Sequence, residues 1–310
     1  MLDLETMRSF IQVAETKSFS KAAQNLHKTS ATISYRIKSL EEIIGTPLFN
    51  RTTRTVKLTP AGEHLLNQCN EWILWLEQMP SELQQINDGV ERHIRITINN
   101  LLYNELAATK LLLFLNKEFP FTQFHLSRQV FMGVWDQMMY EDYHLAIGTP
   151  SSDSLAHHIS VLPLGSISWA FIVARKHSLT KFKTPIPEEI LRQYPAINTE
   201  DTARNLRKRT AWLLKGQKEI KVPNMRTKLA CHLNGLGIGF LPRNICRPYL
   251  ESGDLIELQI HNRRQPSPMS LAWNTIPMGK TVAKIVELFE TNNELIQGFL
   301  SNIDIPANKE

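Results

Sequence analysis

The sequence predicts a mixed α/β protein: an N-terminal all-α winged helix-turn-helix, one long linker helix, and then a larger α/β part. Three observations carry this. Three short amphipathic segments fill the first 45 residues, an apolar seam runs from Leu65 to Ile86, and after Gly89 the texture changes to alternating strand and helix signals. A chain of 310 residues exceeds what one core usually serves, and 42% apolar with 21% charged residues is a globular composition.

The first helix is expected from Leu4 to about Thr16, with Asp3 as its cap and Leu4, Met7, Phe10, Ile11 and Ala14 facing inward. A short second helix follows Ser18 and buries Phe19, Ala22, Ala23 and Leu26. After His27 and Lys28, Thr29 or Ser30 caps a third helix that Gly45 ends at its C′ position. In that helix Ile33, Ile37, Leu40 and Ile44 form the buried stripe. The opposite face carries Ser30, Ala31, Ser34, Tyr35 and Lys38, small, hydroxylated or basic where a solvated face would favour Glu and Lys pairs. Pro47, Leu48 and Phe49 then anchor a basic hairpin holding Arg51, Arg54 and Lys57 among β-formers, and Thr59 caps a new helix with Pro60 at its first position.

Along that helix Leu65, Cys69, Trp72, Leu76, Met79, Leu83 and Ile86 alternate steps of four and three, the seam of a helix that pairs with a second copy of itself or packs on its own neighbouring domain. Pro80 predicts a bend near Leu76 to Pro80. Strands are expected at 94–98, 121–130 and 144–148, with helices near Glu105 to Lys117 and Val134 to Tyr140. Further strands are expected at 167–174, 194–198, 219–222, 237–242, 255–260 and 269–273, before a last helix from about Thr281 to Leu300.

Charge is unevenly placed. Residues 1–60 hold nine bases against five acids, whereas the remaining 250 are nearly balanced, so a polyanion-binding surface is expected near the N-terminus. Cys69, Cys231 and Cys246 stand far apart without CxxC pairing, which fits buried thiols in a reducing compartment better than disulfides. No apolar run reaches a membrane span and the start MLDLETMRSF lacks a basic n-region, so the expectation is a cytoplasmic protein. An enzyme finds little support. Gly235, Gly237 and Gly239 give GxGxG with the third glycine one residue early for a dinucleotide fingerprint, there is no GxSxG or HExxH, and His157-His158 lacks further ligands at metal spacing. No cofactor and no metal are expected. A solute-binding protein, a small-molecule binder without DNA function, would have no use for the helix-turn-helix.

Residues 18–62, SFSKAAQNLHKTSATISYRIKSLEEIIGTPLFNRTTRTVKLTPAG, resemble the winged helix-turn-helix of LysR-type transcriptional regulators, through Ser18, Phe19, Ala22, Ala23, Leu26, Ser34, Ile37, Leu40, Glu41, Gly45, Leu48, Phe49, Arg51, Leu58, Thr59, Ala61 and Gly62. HLNGLGIGFLP at 232–242 is similar to a segment near the end of the family's effector-binding half. INNLLYN, FTQFHLSRQVFMGVWD and the stretch from Pro195 to Met225 look closest to an enterobacterial subgroup that activates allantoin-utilisation genes. The resemblance implies a DNA-binding domain at 1–58, a linker and dimerisation helix at 59–89, and a regulatory domain at 90–310. It implies that the latter is periplasmic-binding-protein-like: subdomain I about 92–163 plus 268–300, subdomain II about 164–267, with crossovers near Pro163 and Pro268. A dimer or a tetramer made of dimers, promoter DNA, a small-molecule effector and, for an activator, RNA polymerase are the implied partners.

A helix that reads the major groove presents small or hydrogen-bonding side chains near its N-terminus. Ser30, Ala31, Ser34, Tyr35 and Lys38 are therefore the expected base and backbone contacts, and Thr29, Arg51, Arg54 and Lys57 the expected phosphate contacts. For the effector, strand ends facing a cleft between two α/β lobes offer Asn99, Asn100, Leu101, Arg128, Gln129, Gly148 and Thr149 from one side and Thr199, Asp201, Thr202 and Arg204 from the other. Asp201 and Arg204 either touch the ligand or form local caps and ion pairs. Paired Asn amides both donate and accept, which suits a ureide or another purine-breakdown metabolite.

Overall fold

The Asp3 carboxylate accepts the Thr6 N–H at 2.7 Å and so opens helix α1, Leu4–Thr16. In the computed structural model, which describes residues 3–51, 55–150, 156–276 and 278–304, Ser18 caps α2 (Phe19–Asn25) and Thr29 caps α3 (Ser30–Ile44), its hydroxyl accepting the Thr32 N–H. Gly45 ends α3 at φ +75°, a left-handed turn that a side chain would strain. Phe10, Ala22, Ala23, Ile33, Ile37 and Leu40 meet in one core, joined by Leu48 and Phe49.

Strands β1 (Phe49–Arg51) and β2 (Val56–Leu58) pair antiparallel as the wing. Glu41 fixes its start, because its carboxylate accepts the N–H groups of Leu48 at 2.8 Å and Phe49 at 3.1 Å. Helix α4 (Pro60–Asn87) packs so closely that a Cβ on Gly62 would stand 2.2 Å from the Leu48 carbonyl oxygen. It continues through Pro80 to Asn87. Cys69 is buried in the unit's own core, whereas Trp72, Trp75, Leu76, Leu83 and Ile86 are exposed. Residues 1–88 form one unit and 89–310 a second.

In the second unit the elements are β3 (His93–Asn99), α5 (Glu105–Glu118), β4 (Gln123–Gln129), α6 (Gly133–Tyr140), β5 (Leu145–Thr149) and β6 (Ile159–Ile167). They continue as β7 (Trp169–Ala174), α7 (Glu188–Leu191), β8 (Ala196–Thr199), β9 (Glu219–Val222), α8 (Met225–Leu233), β10 (Gly239–Pro242), α9 (Arg243–Glu251), β11 (Leu255–Glu257), β12 (Ser267–Asn274), α10 (Lys280–Glu290) and α11 (Gln297–Leu300). One sheet has the order β4-β3-β5-β12-β6, parallel between β3 and its neighbours and antiparallel around β12. The other half holds β10-β7-β11 and the parallel pair β8-β9.

Leu4 and Ile44, expected on buried faces, stand exposed at 39% and 43% at the two helix ends, and three expectations about the elements change as well. Strand β6 has no counterpart in them: it runs through Pro163 and pairs with β12 from Ser267↔Ile167 to Asn274↔Ile159. An edge position tolerates the missing proline N–H, and β6 is an edge. The expected helix from Thr281 to Leu300 is divided after Glu290, since Asn292 turns at φ +50° and Asn293 caps a new short turn. The strand expected over 255–260 ends at Glu257.

Candidate DNA-reading face and effector cleft

Burial of Ile33, Ile37 and Leu40 decides what α3 shows to solvent. Ser30, Ala31, Tyr35 and Lys38 are exposed, Tyr35 at 74%, and Ser34 is half-buried beside them. Lys38 pairs loosely with Glu42 at 3.8 Å, an exposed pair of small worth. Arg36 is basic too, yet it points to α1, donating to Asp3, Glu5 and Thr6, so its charge holds the fold together. Lys57 is exposed on the wing and Thr29 at the α3 cap. Arg54 and the Arg51 side chain lie outside the described residues. The face is hydroxylated, aromatic and cationic, with a helix N-terminus at one end, which is what phosphate and base-edge recognition requires.

In the second unit a polar cleft of about 570 Å3 is lined by Arg128, Gln129, Gly133, Asp136, Asp201, Thr202 and Arg204 among others. Of the eleven expected effector residues this brings five together. The other six lie at buried strand ends. Asn99 spends its amide there: Nδ2 donates to the Gly148 carbonyl at 2.8 Å and Oδ1 accepts the Leu101 N–H at 3.0 Å. Gly148, at φ +89°, has no room for a side chain, because a Cβ would stand 2.6 Å from Leu102. Thr149 donates to the Ser270 carbonyl at 3.2 Å. Asn100 differs, since its Nδ2 is buried without a partner, and so does Thr199, whose hydroxyl is likewise unpartnered. Leu101 is 4% exposed.

The loop after β8 sits on the first turn of α6. Thr202 accepts the Val130 N–H at 3.0 Å, and a Cβ on Gly133 would collide with the Thr202 hydroxyl at 2.0 Å. Buried Asp201 accepts from Ala203 at 2.9 Å, Arg209 at 2.7 Å and Met132 at 3.3 Å, so it is at once a local cap and a tie to the α6 side. Buried Asp136 answers from α6, accepting the N–H groups of Arg204 at 2.7 Å, Asn205 at 3.1 Å and Leu206 at 3.0 Å. Arg128 stacks over the Tyr103 ring at 5.0 Å and Arg204 stands 3.9 Å from Glu141, both exposed. The cleft thus keeps two guanidinium groups and Gln129 as the groups least committed to the protein, while the unpartnered Asn100 and Thr199 atoms are buried at strand ends outside its lining.

Sequence reasoning missed Asp136. Its signal is an acid flanked by Val134, Trp135 and Met138 on the buried face of a short helix. It also missed Lys228, which is 1% exposed, with burial and the Arg264 charge holding its ammonium near a pKa of about 7. One turn on, His232 is driven to about 3 by burial and then by Lys228. Its Nδ1 lies 3.2 Å from the Gly237 carbonyl, and its Nε2 has no partner. No group of three or more His, Cys, Asp or Glu arranged to hold a metal occurs among the described residues.

Comparison with known proteins gives two family matches: residues 4–63 fit the bacterial regulatory helix-turn-helix protein of the lysR family, and residues 87–292 fit the LysR substrate binding domain. The HTH-type transcriptional activator AllS of Salmonella typhimurium is 54% identical over 301 residues, 97% of this chain and 98% of that protein. The HTH-type transcriptional regulator PunR of Escherichia coli is 31% identical over 288 residues, 93% of each. Among solved structures, an OxyR variant from Corynebacterium glutamicum superposes with a TM-score of 0.58 at 18% identity, covering 99% of this chain and 98% of that one. Full-length LysG from the same organism gives 0.51 at 17%, covering 98% and 100%. At these identities the two structures speak for the fold alone.

Proposed function

The chain belongs to the LysR family, as a DNA-binding transcriptional regulator with an effector-binding domain and not an enzyme, and we propose that it activates a promoter in response to a ureide or another small purine-breakdown metabolite. The observation that carries the DNA half is the outward face of α3, where Ser30, Ala31, Tyr35 and Lys38 are exposed and Ser34 half-exposed while Ile33, Ile37 and Leu40 behind them are buried. In this reading those side chains meet base edges and nearby backbone, and Thr29, Arg51, Arg54 and Lys57 meet phosphates. The exposed apolar residues of α4 pair with a second copy of the helix. No described helix is long and apolar enough to cross a membrane, and membership in a DNA-binding regulator family supports reading the protein as cytoplasmic.

The effector occupies the cleft between a subdomain of residues 92–163 plus 268–300 and one of residues 164–267. Arg128, Gln129 and Arg204 offer it hydrogen bonds from the lining, and the unpartnered Asn100 and Thr199 atoms stand buried at strand ends outside it. Asn99, Asp201 and Thr202 serve the reading by shaping that space, since their polar atoms are already bonded. An effector acts only through different affinity for two closures of the subdomains. Mapping of bound DNA across the genome, with and without allantoin, glyoxylate and purine catabolites, tests both halves. The expected result is a small set of promoters whose transcription changes with one of these compounds. Calorimetry in which all of them fail to bind would remove the effector assignment, and DNA affinity insensitive to salt would remove the docking mode.

A further inference from the structure

A second pocket, of about 440 Å3, shares no lining residue with the polar cleft. Trp169, Phe171 and Phe240 wall it, with Arg243, Glu257 and Arg264 on its polar side. Phe171 and Phe240 meet edge-on at 5.2 Å, and Trp212 abuts them at 5.1 and 6.0 Å, so the apolar wall is a rigid aromatic cluster. The Arg264 guanidinium carbon lies 3.4 Å from the centre of the Trp169 ring. A guanidinium stacked by its face keeps its N–H edge free, and that planar fork matches a carboxylate.

Among the described residues no hydrogen bond or ion pair of Arg264 occupies that edge. The pocket's own carboxylate is committed elsewhere: Glu257 forms a two-pronged pair with Arg243 at 2.9 and 2.5 Å. Lys228, buried and close enough to feel the Arg264 charge, has no hydrogen bond or ion pair to an acceptor among the described residues. Burial brings Arg264 itself down to about 10. A half-buried guanidinium with no carboxylate paired to it among the described residues is an arrangement that a bound anion makes more favourable.

We infer that this pocket is a second ligand site, which takes a small planar organic anion, an aromatic or heteroaromatic carboxylate, with its ring against the Trp169, Phe171 and Phe240 wall and its carboxylate on the free edge of Arg264. The volume is at the small end of the range for ligand sites and suits a single ring. Nothing in it depends on the polar cleft being the effector site.

Calorimetry of the full chain with benzoate, and with benzamide as the neutral molecule of the same shape, tests this. Benzoate is expected to bind with a submillimolar Kd and benzamide at least tenfold more weakly. Arg264→Gln should weaken benzoate at least tenfold, and Arg264→Lys, which keeps the charge and loses the planar fork, severalfold. Arg128→Gln, in the other cleft, should leave benzoate within twofold of the wild type. Equal binding of benzoate and benzamide by the wild-type protein, a requirement that holds even where a variant fails to fold, would overturn the inference. So would absence of benzoate binding at millimolar concentration, or unchanged binding by a folded Arg264→Gln. Loss of benzoate binding in Arg128→Gln alone would move the anion to the polar cleft, ending this inference while leaving the proposed effector site intact.

Discussion

Helix α3 and the loop at 199–209 are both short polar segments that the sequence marks for contact with a ligand, and they spend their polar groups in opposite ways. On α3 the apolar stripe, with Arg36 tied to α1 and Glu41 to the wing, does the fastening, so Ser30, Tyr35 and Lys38 stay uncovered. In the loop no such stripe exists, and the polar groups themselves do the fastening: Asp201 and Thr202 bond to backbone on both sides, and the N–H groups of Arg204, Asn205 and Leu206 end on Asp136. A polar residue is available for a ligand only where something apolar already holds its element in place.

The sharpest way to break this contrast is Asp136→Ala, which removes the buried acceptor of three backbone N–H groups at once. Urea unfolding should show a loss of about 3 kcal/mol or more. A loss below about 1 kcal/mol would mean the loop is held by something else.

Lys228→Met asks whether a buried charge without a partner costs stability in this unit. Because the folded pKa is depressed to about 7 from 10.5, the unfolded chain binds the extra proton between those values, so the wild-type protein gains stability as pH rises from about 7 toward 10.5 and carries the full penalty below that window. The variant should be more stable at pH 7 by about 2 kcal/mol and should lose that rise. Thermal unfolding at pH 7 and 9.5 measures both.

On the other side of the contrast, Ser34→Ala together with Lys38→Ala should weaken promoter binding about ten- to a hundredfold, on the order of 1.4–2.7 kcal/mol, while leaving the urea midpoint unchanged. A shifted midpoint would show that this face also serves the fold. The smallest effects belong to its edges. Thr29→Ala removes a cap and should cost about 1 kcal/mol of stability, and Lys57→Ala should lower the slope of log affinity against log salt by about 1 without altering sequence preference.

Much of this architecture is written in local patterns. Caps at Asp3, Ser18, Thr29 and Thr59, the stop at Gly45, the stripes of α1 to α3 except their end residues Leu4 and Ile44, and the family resemblance were legible because each depends on residues within a turn or two of one another. The exposed side of α3 followed from the same periodicity. What lay beyond the sequence depends on partners far along the chain. Asp136 meets residues 204–206, Asn99 meets Gly148, Arg264 stacks on Trp169, and β6 lies along β12 through Pro163. Periodicity reports which way a side chain points from its own backbone, but whether its polar atoms find a partner, remain free or are buried alone is settled when distant segments meet. For this protein the sequence alone therefore determined the family, most of the elements and the exposed side of α3, and only the tertiary structure decided which polar groups the effector half has left to offer.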